Sequence, residues 1–295
     1  AITHGKGATV YDEEGNEYID FTSGIGVSSV GYGNEKWAKA IYDQALKIGH
    51  MSNLYYTEPC AKLAEQLCTR TGMSAVFFGN SGAEGNEGII KLARKYSFDK
   101  YGEGRSTILT LKDSFHGRTI TTLNATGQDM FHQYFFPFTE GFMYVKANDF
   151  SELAMTADDT VCAVMMELVQ GEGGVNVLDK EYVKTVAEYC KKNDWLLLID
   201  EVQTGVGRTG TLFAFQDYDI EPDGVSFAKG LAGGLPMGGF LVSEKARGAL
   251  GPGTHGSTFG GNPIAASAAL EVLSELDDQF LLEVREKGNY IAAAI

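Results

Sequence analysis

"WLLLIDEVQTGVGRTG", residues 195–210, governs how the chain is read. An apolar run, Trp195 to Ile199, ends in two acids, Asp200 and Glu201, and the string Gly205–Gly210 then matches G-x-G-x-x-G. A dinucleotide site would need those glycines to open a helix, with an acid ending the next strand about 20 residues on. Residues 211–223 instead contain "TLFAFQ" and "DYDIEPD", with no helical run long enough. The stretch is therefore a buried strand delivering carboxylates at its carboxyl end, and the glycines turn the chain away from it.

Outward from this strand the chain alternates. Pro59–Arg70, Ala83–Tyr101 and Glu181–Asn193 read as helices, with apolar residues at helical spacing, a proline at the first start and Gly72 past that helix's end. Ala75–Phe78, Thr107–Leu111, Val161–Leu168, Leu196–Ile199, Val225–Ala228 and Phe240–Val242 read as short apolar strands. Thr9–Phe21 reads as two strands around an Asp12–Asn16 turn, and a further helix begins near Gln279. The pattern predicts an α/β fold, a mostly parallel sheet covered by helices on both faces. In such sheets ligands bind beyond the carboxyl ends of the strands.

The 295 residues carry 24 Lys and Arg against 39 Asp and Glu, a formal charge of −15. That balance argues against nucleic acid and anionic membranes as partners. No apolar run reaches the roughly 18–20 residues of a membrane span. Cys60, Cys68, Cys162 and Cys190 have no C-x-x-C spacing, so reduced thiols and a cytoplasmic setting are expected.

Four strand ends carry polar groups. "FFGNSGAEGNEG", residues 77–88, contains Ser81-x-x-Glu84, a capping box, and also glycines that let an anion approach a helix N-terminus. Asp200 reads either as a cap or partner of Arg208, or as a carboxylate facing a protonated ligand nitrogen. Lys229, after "GVSF" and before a glycine-rich turn, reads either as a surface lysine or as a desolvated amine nucleophile. "SFHGRT", residues 114–119, offers Phe115 for stacking and Arg118 for a carboxylate, with His116 satisfying loop backbone as the plainer alternative. Phosphate cradle, carboxylate, aromatic face and amine are together the contacts that pyridoxal phosphate needs.

"FFGNSGAEGNEGIIKLARKY", "SFHGRT", "ELVQGEGGV", "LLLIDEVQTGVGRTG", "FAKGLAGGLPMGG" and "THGSTFGGNP" lie in order between residues 77 and 263. On these motifs the chain resembles the class III (ornithine-type) aminotransferases of the type I pyridoxal-phosphate fold. The resemblance implies that Lys229 holds pyridoxal 5'-phosphate as a Schiff base and shuttles the substrate proton, and that Asp200 keeps the ring nitrogen protonated. It places Val202 and Phe115 on the two ring faces, Gln203 on the ring oxygen, and the backbone N–H groups of Gly82 and Ala83 on the phosphate. Thr258 and Ser257 would reach phosphate or substrate from the other subunit, making the active unit a homodimer. Arg118 would bind the substrate carboxylate, Glu172 would pair with an arginine of a C-terminal domain, and Glu167 would stand near Gln203.

The implied reaction is transfer of the terminal amino group of N-acetylornithine to 2-oxoglutarate. Succinylornithine, ornithine and 4-aminobutyrate transaminases share the motifs; aminomutases and racemases use the same lysine and aspartate, with Arg118 favouring transamination, and a chain that binds cofactor without turnover is a further alternative. The expected organisation is an N-terminal segment with a hairpin (1–48), a large cofactor-binding domain (49–275) and the start of a small domain (276–295). Leu168 stands where the family usually has proline, and Gly85 and Gly88 stand where it has alanines. Each helical glycine costs on the order of 1 kcal/mol against alanine.

Overall fold

A computed structural model describes all residues, Ala1–Ile295. Strands β1 (Ile2–Lys6), β2 (Thr9–Asp12) and β3 (Glu17–Ile19) form an antiparallel sheet, followed by a short turn α1 (Ser23–Gly26) and helices α2 (Glu35–Ala45) and α3 (Glu58–Thr71). Then come β4 (Ala75–Gly79), α4 (Gly82–Tyr101), β5 (Thr107–Leu111), α5 (Ile120–Ala125), β6 (Phe142–Val145), α6 (Phe150–Thr156) and β7 (Val161–Met166). The chain continues through β8 (Val169–Gln170), β9 (Asn176–Val177), α7 (Lys180–Asn193), β10 (Leu196–Asp200), β11 (Gly224–Phe227), β12 (Gly238–Val242), α8 (Pro263–Glu275) and α9 (Asp278–Ala294).

The central sheet has the order β4-β12-β11-β10-β7-β5-β6. The pairs β11/β10, β10/β7, β7/β5 and β5/β6 are parallel, whereas β12 runs antiparallel to both its neighbours. The expected mostly parallel sheet is thus present, with one reversed strand that sequence pattern does not distinguish. The apolar runs are continuous because both faces are covered. Leu196 and Leu198 point with Ala163 and Met165 into a core shared with α4, and Leu197 and Ile199 point with Val164 and Met166 into a larger core reaching α3, α7 and α8. Each of these fully buried leucine, isoleucine, valine and methionine side chains contributes about 1.5–3 kcal/mol.

Local signals set the helix ends. Pro59 lies in the first turn of α3 and Gly72 closes it at φ 74°. Asn34, Asp179, Asn262 and Asp277 cap α2, α7, α8 and α9 through side-chain oxygens. No helix is long and apolar enough to cross a membrane.

Sequence pattern leaves β1, β6, β8, β9, α1, α2, α5, α6 and α8 unassigned. α2 packs on α8, and its Trp37 donates Nε1–H to the carbonyl of Ala232 at 3.0 Å, tying the N-terminal segment to the body of the chain. The strand read as Val161–Leu168 stops at Met166: Glu167 turns its carboxylate to the loop after β5, and Val169 begins a separate ladder with β9. The glycines at 85 and 88 have a packing reason. A Cβ at Gly85 would lie 2.5 Å from the Gly239 carbonyl oxygen, and one at Gly88 would lie 2.2 Å from the Phe240 ring. Small residues there let α4 settle onto β12.

Candidate active site

Past the carboxyl ends of β4, β5, β7, β10 and β11 opens a cavity of about 400 Å³. Into it come the start of α4, the loop after β5, Glu167 and Glu172 after β7, the turn after β10, and Lys229 after β11. Its size and position are those of a ligand site in an open α/β sheet.

At its floor lies Asp200. One carboxylate oxygen accepts from His116 Nδ1 at 2.8 Å and Asn86 Nδ2 at 2.7 Å, and the other accepts from Val202 N–H at 2.9 Å. Ser226 Oγ lies 3.4 Å away and donates more closely, at 2.5 Å, to Asn86 Oδ1. All four side chains are buried. A carboxylate so placed is tolerated because several donors share its charge. Glu201 points to the opposite side, as strand alternation predicts. It accepts from Phe215 N–H, Ala214 N–H and the Thr204 hydroxyl, and burial pushes it up to about 7.

Over Asp200 stands the amino end of α4. Ser81 caps it by accepting from Glu84 N–H at 3.2 Å, while Glu84 reaches back to Asn80 N–H, one residue further than a standard capping box. A Cβ on Gly82 would lie 2.6 Å from Val202, so only glycine lets the turn after β10 approach this end. The backbone N–H groups and the helix dipole make this corner attractive to an anion.

Lys229 leaves the end of β11 with φ 39°. It makes no hydrogen bond or ion pair, and burial pushes its amine below the ordinary range against the pull of Asp200, Glu172 and Glu167. Glu167 is buried and accepts from Phe115 N–H at 2.9 Å. Burial pushes it up to about 7, opposed by His116. Gln203 donates to Glu172 at 3.4 Å. Arg118 sits at the mouth beside Phe115.

The family model for class-III aminotransferases matches residues 1–294. The chain belongs to the class-III aminotransferases. It is 54% identical to the acetylornithine aminotransferase of Haemophilus ducreyi, covering 100% of this chain and 75% of that one. It is 53% identical to that of Wolinella succinogenes, covering 95% and 70%. Among solved structures, the ornithine aminotransferase of Toxoplasma gondii superposes with a TM-score of 0.90 at 34% identity, over 95% of this chain and 67% of that one. The N-acetylornithine aminotransferase of Stenotrophomonas maltophilia gives 0.84 at 35%, over 98% and 72%.

In this class-III aminotransferase Gly82, Ala83, Phe115, Arg118, Glu167, Glu172, Asp200, Val202, Gln203 and Lys229 line one cavity, and Ser257 and Thr258 do not. Ser257 Oγ instead accepts from Asn80 Nδ2 at 3.3 Å, and Thr258 is exposed. Asp200 has no contact with Arg208, which removes that ion pair as its explanation. His116, read as a loop residue bonding backbone, is corrected: its ring nitrogen serves Asp200. The glycines at 207 and 210 face α9 and its approach, Gly207 against Leu276 and Leu281 and Gly210 against Arg285, and open no helix. Asn86 and Ser226 give no sequence signal, since nothing local marks a helix asparagine or a strand serine as a partner of Asp200.

Proposed function

We propose that this class-III aminotransferase uses pyridoxal phosphate to move the terminal amino group of N-acetylornithine to 2-oxoglutarate, a step of arginine biosynthesis. The observation that carries the reading is one cavity holding an unpaired, desolvated Lys229, a buried hydrogen-bonded Asp200 and a helix N-terminus stripped of side chain at Gly82. The relatives named acetylornithine aminotransferases support the donor.

The residues fit the cofactor. Gly82 and Ala83 would take the phosphate, Val202 and Phe115 the two ring faces, Gln203 the ring oxygen, and Asp200 the ring nitrogen. Bound there, pyridoxal phosphate supplies a carbonyl that condenses with amines and a ring that accepts the electron pair released at the substrate carbon. The lowered amine of Lys229 is more often neutral near pH 7 than a free lysine, so it can attack a carbonyl and carry a proton at Nζ. Asp200 stays in place because His116, Asn86 and the Val202 N–H donate to it, and so favours a proton on a nitrogen facing it. Arg118 would hold the carboxylate of donor and acceptor in turn.

A homodimer belongs to the same reading. Phe21 and Leu54 are 86% exposed and Phe259 is 60% exposed, apolar surface that a second copy would cover, bringing Ser257 and Thr258 toward the partner's cavity. Four free cysteines support a reducing, cytoplasmic setting.

The test is absorbance with pyridoxal phosphate, followed by turnover. The wild type should gain a visible band that Lys229→Ala lacks, and should prefer N-acetylornithine over ornithine and 4-aminobutyrate. No band in the wild type, or preference for either competitor, overturns the reading.

A further inference from the structure

We infer that Phe131 is a positioning residue that sets the strength of substrate-carboxylate binding by holding the Arg118 guanidinium over its ring; this rests on the proposed role of Arg118. The Arg118 guanidinium lies 4.3 Å from the Phe131 ring centroid and 5.3 Å from that of Phe115. The two rings meet edge to face at 5.9 Å and 74°. Arg118 makes no hydrogen bond and no ion pair, in a chain with 39 carboxylates.

Stacking uses the face of a guanidinium and leaves its edge N–H donors free. A carboxylate partner would occupy those same donors. Phe131 therefore fixes the orientation of Arg118 while keeping its fork open to an incoming carboxylate. Phe115 cannot supply this alone, because its ring is the more distant of the two.

The turn that carries Phe131 is built to place it. Gln128 Nε2 donates to the Ser114 carbonyl at 3.0 Å, Gly127 N–H donates to Ser114 Oγ at 3.0 Å, and Asp113 N–H donates to the Gly127 carbonyl at 2.8 Å. On the other side His132 Nε2 donates to the Leu123 carbonyl at 2.9 Å. These bonds lock the turn onto the loop bearing Phe115 and Arg118, so the ring and the guanidinium keep their spacing.

The experiment compares holoenzymes of wild type, Phe131→Leu, Phe131→Tyr, Arg118→Gln and Arg118→Lys. Phe131→Leu should raise KM for 2-oxoglutarate about three- to ten-fold, with a much smaller change in kcat, because the lost interaction acts on binding. Phe131→Tyr should restore KM. Titration of the cofactor-free proteins with 2-oxoglutarate should show the same ordering, and the cofactor dissociation constant should stay at its wild-type value. In the Arg118→Lys background Phe131→Leu should have little further effect, since an ammonium offers no planar face. An unchanged KM in Phe131→Leu, no rescue by tyrosine, or a weakened cofactor overturns the inference. If Arg118→Gln itself leaves carboxylate binding intact, the role of Arg118 fails instead.

Discussion

His116 donates Nδ1–H to Asp200 at 2.8 Å, across 84 residues of sequence, with both side chains almost free of solvent. Asn86 supports the same oxygen of Asp200 and also donates to the His116 carbonyl, so three segments meet at one carboxylate. His116→Ala or Asn86→Ala should each cost about 1–3 kcal/mol, because a buried charge loses a donor. The double variant should depart from the sum, since both changes act on Asp200. Urea unfolding of the four proteins measures this, and strict additivity would show that the two donors act independently.

Gly88→Ala should destabilise although alanine is the better helix former. Propensity offers about 1 kcal/mol, but the added Cβ would meet the Phe240 ring at 2.2 Å, and such overpacking costs about 1–3 kcal/mol. Phe240→Leu in the Gly88→Ala background should recover part of the loss. Gly85→Ala should have no such rescue, because its obstacle is the backbone carbonyl of Gly239. Thermal unfolding of the single and paired variants distinguishes the two sites.

Glu201 should make stability fall as pH rises. Burial lifts it from an ordinary 4.5 to about 7. Below about 4.5 native and unfolded chains both carry the proton, and no cost arises. Between 4.5 and 7 the unfolded chain has lost a proton that the native chain still holds, so unfolding becomes easier, by about 3 kcal/mol in all. Above 7 the contribution is constant. Glu201→Gln should flatten the slope of unfolding free energy between pH 5 and 7 relative to wild type. Equal slopes would show that Glu201 titrates normally. Glu167 is present in both proteins, so its own rise cancels in the comparison.

Asp194 joins α7 to α4 by accepting from Tyr96, Tyr101 and Lys100, and its backbone is left-handed at φ 52°. Lys100 and the two tyrosine hydroxyls hold its carboxyl below the usual range against partial burial. Asp194→Asn keeps a residue that tolerates this conformation and should cost about 1 kcal/mol. Asp194→Ala adds strain of about 1–2 kcal/mol. Equal effects in chemical denaturation would show that the conformation carries no cost.

The residues that sequence assembles around one cavity and those it passes over differ in kind. Lys229, Asp200 and the Gly82 turn stand at the ends of apolar runs, where periodicity stops and a polar group is conspicuous. Asn86, Ser226 and Phe131 lie inside or between ordinary elements, and only their distant neighbours give them a task. His116 is conspicuous in its motif and Asp200 at the end of its strand, but nothing local pairs the two. Ser257 and Thr258 are assigned by resemblance, and within one chain they stand off the cavity.

The alternation of strands and helices is legible from residue order alone, because continuous apolar runs, helical spacing and caps are local patterns that act within a few residues. Four further features are settled by long-range packing: β12 runs backwards, Gly88 receives the Phe240 ring, Asn86 and His116 converge on Asp200, and Phe131 holds Arg118 open. Those pairings depend on the order in which strands join the sheet, and that order follows from the packing of the whole core, not from any one segment.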